Sequence, residues 1–399
     1  MPEISLNTPL PTWLTLLLAS ACGLIVANIY YAQPLIGPIS LSLGLSPQAA
    51  GLIVTMTQIG YGTGLLLIVP LADRIENRTL VVCILGLAIL ALLGAGLSTR
   101  PTLFLATALL IGLGSVAVQV LVPYAAHLAP EATRGRVVGN VMSGLMLGIM
   151  LARPAASFVT HALSWHAVFI ISAMVMAGLA TVLRFALPRR HPGSGPSYAT
   201  LLLSMGRLAR HTPILQRRAF YHACLFGTFS LFWTTVPLLL AGPFQLSQNG
   251  IALFALAGVA GAISAPIAGR AADRGWSRPA TGAAMLGTAA ALLLCLTADS
   301  GSPIALAILV LAAILLDFAV TANLVLGQRA IYSLGAAVRG RLNGLYMATF
   351  FAGGAFGSAL GGWTYARGGW PLTIWAGLAL PALALAGFLT ELRPRRPRA

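Results

Sequence analysis

Along most of the chain the polar positions are gathered into short clusters, and the stretches between them are almost wholly apolar. Twelve such stretches can be marked: Thr12–Gly37, Ser46–Leu71, Thr79–Ser98, Thr102–Ala126, Val137–His161, His166–Leu187, Tyr221–Gly242, Gly250–Gly269, Ala280–Ala298, Pro303–Gln328, Leu342–Tyr365 and Pro371–Thr390. About 20 apolar residues suffice for a helix to cross the hydrocarbon core of a bilayer. The runs are continuous, which excludes the alternating ten-residue strands of an outer-membrane barrel. A helix pairs its backbone groups within its own segment, as lipid requires. The expected fold class is therefore an all-α integral membrane protein with twelve transmembrane helices. Pro34, Pro154 and Pro237 fall inside spans and predict kinks.

Composition agrees with the pattern and narrows it. Only 8% of the 399 residues are charged, against 58% apolar, whereas a soluble domain has about a quarter of its residues charged. The eight acids are Glu3, Asp73, Glu76, Glu131, Asp273, Asp299, Asp317 and Glu391. They are too few for a wet surface or a metal enzyme. Cys22, Cys83, Cys224 and Cys295 all lie in apolar spans, so neither a disulfide framework nor a zinc site is expected, and they read as small core residues. The first run is too long for a cleavable signal and has no basic stretch before it, so it is expected to remain as an anchor.

The formal charge of +16 comes from 24 basic residues, all of them Arg. Sorted by span, 21 fall on the side that holds both termini, Arg100 and Arg367 fall on the other, and Arg153 lies within a span. Basic loops stay in the cytoplasm. Both termini are thus expected to be cytoplasmic, in a multi-pass protein of the cell (inner) membrane, and most of the charge fixes topology or touches acidic membrane lipid. No nucleic-acid partner is expected, because the Arg residues are scattered over membrane loops without a soluble domain.

The longest loop separates two halves: an N-terminal six-helix bundle over 1–187, a cytoplasmic linker over 188–219 and a C-terminal bundle over 220–399. The linker carries a Pro/Gly/Ser stretch from His191 to Pro196. Its second part, with Leu201, Leu202, Leu203, Met205 and Leu208 beside Arg207 and Arg210, reads either as an amphipathic helix on the inner leaflet or as a solvated loop. The halves repeat one another. Asp73-Arg74 and Asp273-Arg274 are 200 positions apart, and Arg134-Gly135-Arg136 recurs 205 positions later as Arg339-Gly340-Arg341. The same offset of 205 relates Gly139 to Gly344, Met142 to Met347, Gly148 to Gly353 and Trp165 to Trp370. Two parallel six-span repeats are what such a register describes.

With these motifs the chain resembles a twelve-span transporter of the major facilitator superfamily over essentially its whole length. The family's loop motif, Gly-x-x-x-Asp-Arg-x-Gly-x-basic, is kept at Gly269, Asp273, Arg274 and Arg278, while the first copy has Val69 and Glu76 where glycines are expected. The resemblance implies two pseudo-symmetric bundles and a cytoplasmic gate built from Asp73, Arg74, Arg78, Arg136, Asp273, Arg274 and Arg341. Asp73 would meet the start of span eleven near Arg341, and Asp273 the start of span five near Arg136; a carboxylate is stabilised at a helix N-terminus and beside Arg. A purely topogenic charge cluster is the competing reading. Span five of the efflux branch carries Gly-x8-Gly-x3-Gly-Pro; here Gly139 and Gly148 fit and Ala152-Arg153-Pro154 departs. Span eleven has Gly344, Gly353 and Gly357.

Polar groups inside lipid are costly, so their placement is informative. Spans three, six, nine and twelve contain no Asn, Gln, Asp or Glu in their interiors and read as lipid-facing supports. The resemblance implies that spans one, four, seven and ten line a central substrate cavity, for which the candidates are Asn28, Tyr31, Gln33, Gln119, Arg153, Trp233, Asp317 and Thr321. Asp317 is the one acid near the middle of a span, with Thr321, Leu324 and Gln328 following at helical spacing. It reads either as the carboxylate that couples transport to protons or as half of a permanent pair with Arg153. For Arg153 three readings stand: an anionic substrate, a pair with Asp317, or a side chain that snorkels outward. In span one, Asn28 and Tyr31 share one face and Tyr30 and Gln33 another. Phe226, Phe229, Phe232 and Trp233 offer aromatic surface, for a ligand or for packing, and His222 reads as a satisfied polar residue.

The function expected is secondary active transport rather than catalysis: proton-coupled efflux of a small organic molecule by alternating access. Proton-coupled uptake or exchange of a sugar or organic acid is the alternative. With no Lys there is no Gly-x4-Gly-Lys phosphate loop. No cofactor is expected; the partners are a small-molecule substrate, protons and membrane lipid, and the carrier is expected to be a monomer.

Overall fold

The computed structural model describes residues 10–190, 197–298, 301–335 and 338–392. Glu3, the Pro/Gly/Ser stretch from His191 to Pro196, Asp299 and the arginines from Arg393 onward lie outside the described residues. The described residues form α-helices, short 3-10 turns and connecting loops, with no strand among them. They divide into two compact units: the described parts of Met1–Gly44 with Met56–Leu203, and Leu45–Thr55 with Ser204–Ala399. The boundary between Leu203 and Ser204 falls inside the 188–219 linker.

The first unit opens with a broken crossing. Helix α1 (Thr12–Ala27) stops at Asn28, a 3-10 turn covers Gln33–Leu35, and α2 (Ile36–Leu43) finishes the span. The apolar run alone predicts one unbroken helix here. Two local effects interrupt it: Pro34 has no N–H to donate, and the Asn28 amide takes the Ile25 carbonyl at 3.1 Å, competing with the backbone ladder. Helix α3 (Leu52–Leu67) follows, then α4 (Asn77–Gly96), the pair α5 (Pro101–Ser115) and α6 (Ala117–Leu128), α7 (Glu131–Ala162) and α8 (Trp165–Ala186). Within this unit α1 packs on α7, and α4 on both α5 and α8.

The linker's second part is α9 (Tyr198–His211), a helix with Leu201 and Met205 buried. The second unit continues with α10 (Pro213–Ala241), α11 (Gln248–Ala255), a 3-10 turn (Leu256–Val259), α12 (Ala260–Asp273), α13 (Ser277–Cys295), α14 (Pro303–Tyr332) and α15 (Arg339–Leu392). Helix α15 is two crossings in one: Gly368 (φ −144°) and Gly369 (φ +59°, ψ −154°) leave helical geometry between them. Only glycine enters that last region readily. Among the described residues, taking α1–α2, α5–α6 and α11–α12 each as one broken span and counting both arms of α15 gives the twelve crossings expected from the apolar runs.

Close backbone crossings recur in the two units. A Cβ added to Gly148 of α7 would stand 2.1 Å from the Gly23 carbonyl oxygen of α1, and one added to Gly357 of α15 would stand 1.9 Å from the Gly227 oxygen of α10. Small residues let helices approach this closely. Gly139, by contrast, meets nothing within 4 Å. The segment Leu45–Thr55 joins the second unit by the same means, with Gly51 against the Ser358 backbone and the Thr55 and Ser358 hydroxyls 2.8 Å apart.

The amide-free crossings present apolar side chains outward. Leu90 on α4, Met174 and Phe185 on α8, Leu286 on α13, and Trp375 and Leu389 on the second arm of α15 are all exposed. Cys83, expected in the core, lies exposed on α4, whereas Cys22, Cys224 and Cys295 are buried as free thiols.

Candidate functional site

The intramembrane polar residues of the first unit form two clusters around the irregular stretch between α1 and α2. Ser172 of α8 donates to Asn28 Oδ1 at 2.5 Å and is also hydrogen-bonded to the Tyr31 side chain. On the other side, Arg153 Nε donates to Gln33 Oε1 at 2.7 Å, and its guanidinium carbon lies 5.2 Å from the centre of the Tyr30 ring. The two face-sharing pairs expected in span one therefore both form, each with its own partner. Arg153 is 2% exposed, so it does not snorkel outward; α7 turns it into its own unit, where Gln33 and Tyr30 receive it. The 3-10 turn that carries Gln33 packs against α7.

Gln119 of α6 donates to the Tyr61 hydroxyl of α3 at 3.0 Å, which ties its amide to a neighbouring helix. Ser172 was not among the candidates, since a serine in an apolar span carries no strong signal.

In the second unit Asp317 sits at mid-length of α14 and is 5% exposed. Trp233 Nε1 of α10 donates to its Oδ2 at 2.9 Å. Helix α12 closes in from another side: a Cβ on Gly261 would lie 3.7 Å from Asp317 Cβ and 3.0 Å from Thr321 Oγ1. Thr321 thus faces α12, while Asp317 meets both α10 and α12. Further along α14, Gln328 donates to Asn343 Oδ1 at 3.2 Å.

An aromatic row runs along α10 from His222 through Phe226 and Phe229 to Trp233. Phe226 stacks on Phe350 of α15 at 3.5 Å between centroids and on Phe229 at 5.2 Å, and Trp233 meets Phe254 edge-on at 6.0 Å. Phe232 points elsewhere and packs against Trp370. His222 lies between Tyr346 and Phe350, with Nδ1 3.0 Å from Asn323 Nδ2. With the amide nitrogen donating, the ring proton sits on Nε2. Sequence reasoning missed this buried pair, because His222 and Asn323 are 101 positions apart.

At the Arg-rich ends the loop residues make contacts inside their own units. Arg78 is buried and donates to the Leu187 carbonyl at 3.2 Å, and Arg190 donates to Asn77 Oδ1 at 3.1 Å. Asp273 is ion-paired with Arg329 at the end of α14, Arg274 lies over the Trp276 ring, and Arg341 donates to Ser204 at 2.8 Å. Asp73, Arg74 and Arg136 are exposed. Among the described residues no group of three or more His, Cys, Asp or Glu is arranged to hold a metal ion.

Known proteins agree with this architecture. The model of the Major Facilitator Superfamily matches residues 16–338 and 218–399. The chain is 38% identical over 381 residues to the uncharacterized transporter YgaY of Escherichia coli O157:H7, covering 95% of this chain and 94% of that protein. It is 32% identical to the probable transporter SCO4007 of Streptomyces coelicolor, over 95% of this chain and 87% of the relative. A chloramphenicol efflux pump of Mycobacterium tuberculosis is 28% identical over 254 residues, 62% of this chain and 60% of its own length. Among solved structures, a D-xylose-proton symporter superposes with a TM-score of 0.75 at 17% identity, covering 94% of this chain and 96% of its own.

Proposed function

The chain belongs to the Major Facilitator Superfamily, and we propose that this multi-pass secondary transporter exports a small organic molecule in exchange for protons by alternating access. The observation that carries the reading is the buried Asp317 carboxylate held by the Trp233 indole N–H. A carboxylate inside a span is costly while ionised and is a functional group by default. Taking up a proton removes its charge, and releasing the proton restores an acceptor that Trp233 is oriented to meet. Asp317 is the proton-coupling residue in this account, and Trp233 positions it.

Export is favoured by the closely packed α1–α7 crossing at Gly148, one of the two glycines of the efflux-branch pattern that this chain retains, and by the likeness to a chloramphenicol efflux pump. The remaining assignments follow from the charge distribution. The Arg-rich loops and both termini are cytoplasmic, in the inner membrane and next to acidic lipid. Asp73, Arg74, Arg136, Asp273, Arg274 and Arg341 serve a cytoplasmic gate, with Arg78 holding the loop segment at Leu187 behind it. The carrier works as a monomer.

A substrate panel in cells lacking their native exporters tests the proposal. Protection against a toxic compound is expected with the parent protein and is lost with Asp317→Asn at equal expression. If the parent protein sensitises the cells instead, the direction is uptake. If Asp317→Asn protects as well as the parent, the coupling role is wrong.

A further inference from the structure

We infer that Gln33, Arg153 and Tyr30 form an anion-receiving site in the first unit and that the transported molecule carries a carboxylate or a similar anionic oxygen group there. The inference rests on the proposed transport of a small organic molecule and adds its chemical class.

The argument starts from a hydrogen-bond orientation. A guanidinium only donates, so the atom of Gln33 that Arg153 Nε meets at 2.7 Å must be the carbonyl oxygen. The amide direction is therefore fixed by chemistry, and the NH2 group is left as the open end of the side chain. That nitrogen, Gln33 Nε2, is buried and has no hydrogen-bond partner, in a residue that is 1% exposed. An unmet buried donor is destabilising, and proteins retain few of them without a reason. What the position lacks is an acceptor.

The surroundings specify the kind of acceptor. A buried guanidinium beside the open donor supplies positive charge, and Tyr30 lies against it and orients it. An open amide N–H next to a charged guanidinium suits a planar pair of oxygens sharing a negative charge. A neutral amide of the same shape brings its own N–H groups and would leave donors facing donors. Position 153 also stands where the efflux-branch pattern, aligned on Gly139 and Gly148, has its proline, so this cation is a feature of the chain itself.

The test uses the full-length purified protein in detergent, with benzoate and benzamide as probes of equal shape and different charge. Binding is read by thermal shift and titration. Benzoate is expected to bind at least about tenfold more tightly than benzamide, the effect of one charge-assisted hydrogen bond. Gln33→Glu places an acceptor where the donor was and puts a carboxylate beside Arg153. That variant is expected to keep or raise the melting temperature while losing benzoate binding by about tenfold or more. Arg153→Gln is expected to lose the discrimination between the two probes. Equal binding of benzoate and benzamide by the parent protein overturns the inference, as does unchanged benzoate binding in a folded Gln33→Glu. Because binding is measured without a proton gradient, these outcomes are independent of the role of Asp317. If benzoate binds through Gln33 and Arg153 but no carboxylate in a transport panel is moved, the assignment to the transported molecule is overturned and the anion site stands.

Discussion

Trp233 and Asp317, 84 positions apart on α10 and α14, are joined by an indole N–H donated to Oδ2 at 2.9 Å. The contact links the aromatic row of α10 to the mid-membrane carboxylate, so the two act as one structural element. Trp233→Phe keeps the ring that meets Phe229 and Phe254 but removes the donor. Transport driven by a proton gradient is expected to fall by roughly tenfold, the scale of one hydrogen bond to a charged group. Initial rates in proteoliposomes check this, with melting temperature as the control for folding.

The glycine crossings make a steric prediction. A Cβ at Gly357 would sit 1.9 Å from backbone and one at Gly148 would sit 2.1 Å from backbone, whereas Gly139 has open space around it. Gly357→Ala and Gly148→Ala should each force α15 or α7 away from its partner, at a cost of about 1–3 kcal/mol. Thermal melting should show a clear fall for these two and almost none for Gly139→Ala.

Much of this fold was legible in the sequence because lipid allows few alternatives. Twelve apolar runs became twelve crossings, and the amide-free spans turned their apolar side chains outward. The break in span one was not legible, since Asn28 and Pro34 act on the backbone and leave hydropathy unchanged. The offset of 205 relates Gly148 to Gly353, and both stand at close crossings: a Cβ on Gly148 would lie 2.1 Å from the Gly23 oxygen of α1, and one on Gly353 2.2 Å from the Ala223 oxygen of α10. Gly357, about one helical turn further along, meets Gly227 in the same way. Close packing depends on which small residues face each other, and a run of several glycines leaves that choice to the tertiary structure. The candidate site was legible as single residues. Its pairings, Asn28 with Ser172, Gln33 with Arg153 and Trp233 with Asp317, needed coordinates because each joins distant parts of the chain.

Glu76 caps α4 and gives a pH-dependent prediction. Partial burial acts to raise its carboxyl, but hydrogen bonds from the Thr79 hydroxyl and N–H and from the Arg78 N–H outweigh this and hold it below its ordinary 4.5. A depressed carboxyl contributes stability that is present above the unfolded value and is lost as pH falls through the folded one. The melting-temperature difference between the parent and Glu76→Ala should be constant from neutral pH to about 5. It should shrink below 4.5. A melting series across that range checks the sign.

The Asp273–Arg329 pair is about half exposed on both sides. Such pairs contribute at most about 1 kcal/mol and weaken with salt. Asp273→Asn should therefore leave the melting temperature nearly unchanged. If Asp273 serves the gate, the same variant should lower the transport rate several-fold, and paired rate and melting measurements separate the two effects.

The central claim is that Asp317 couples substrate movement to protons. The most direct measurement is substrate flux in proteoliposomes with and without an imposed pH gradient, for the parent protein and Asp317→Asn. The account predicts that the gradient accelerates flux in the parent and has no effect in Asp317→Asn, which retains substrate exchange at equal concentrations on both sides. Gradient-driven accumulation by Asp317→Asn at the parent's level would contradict it.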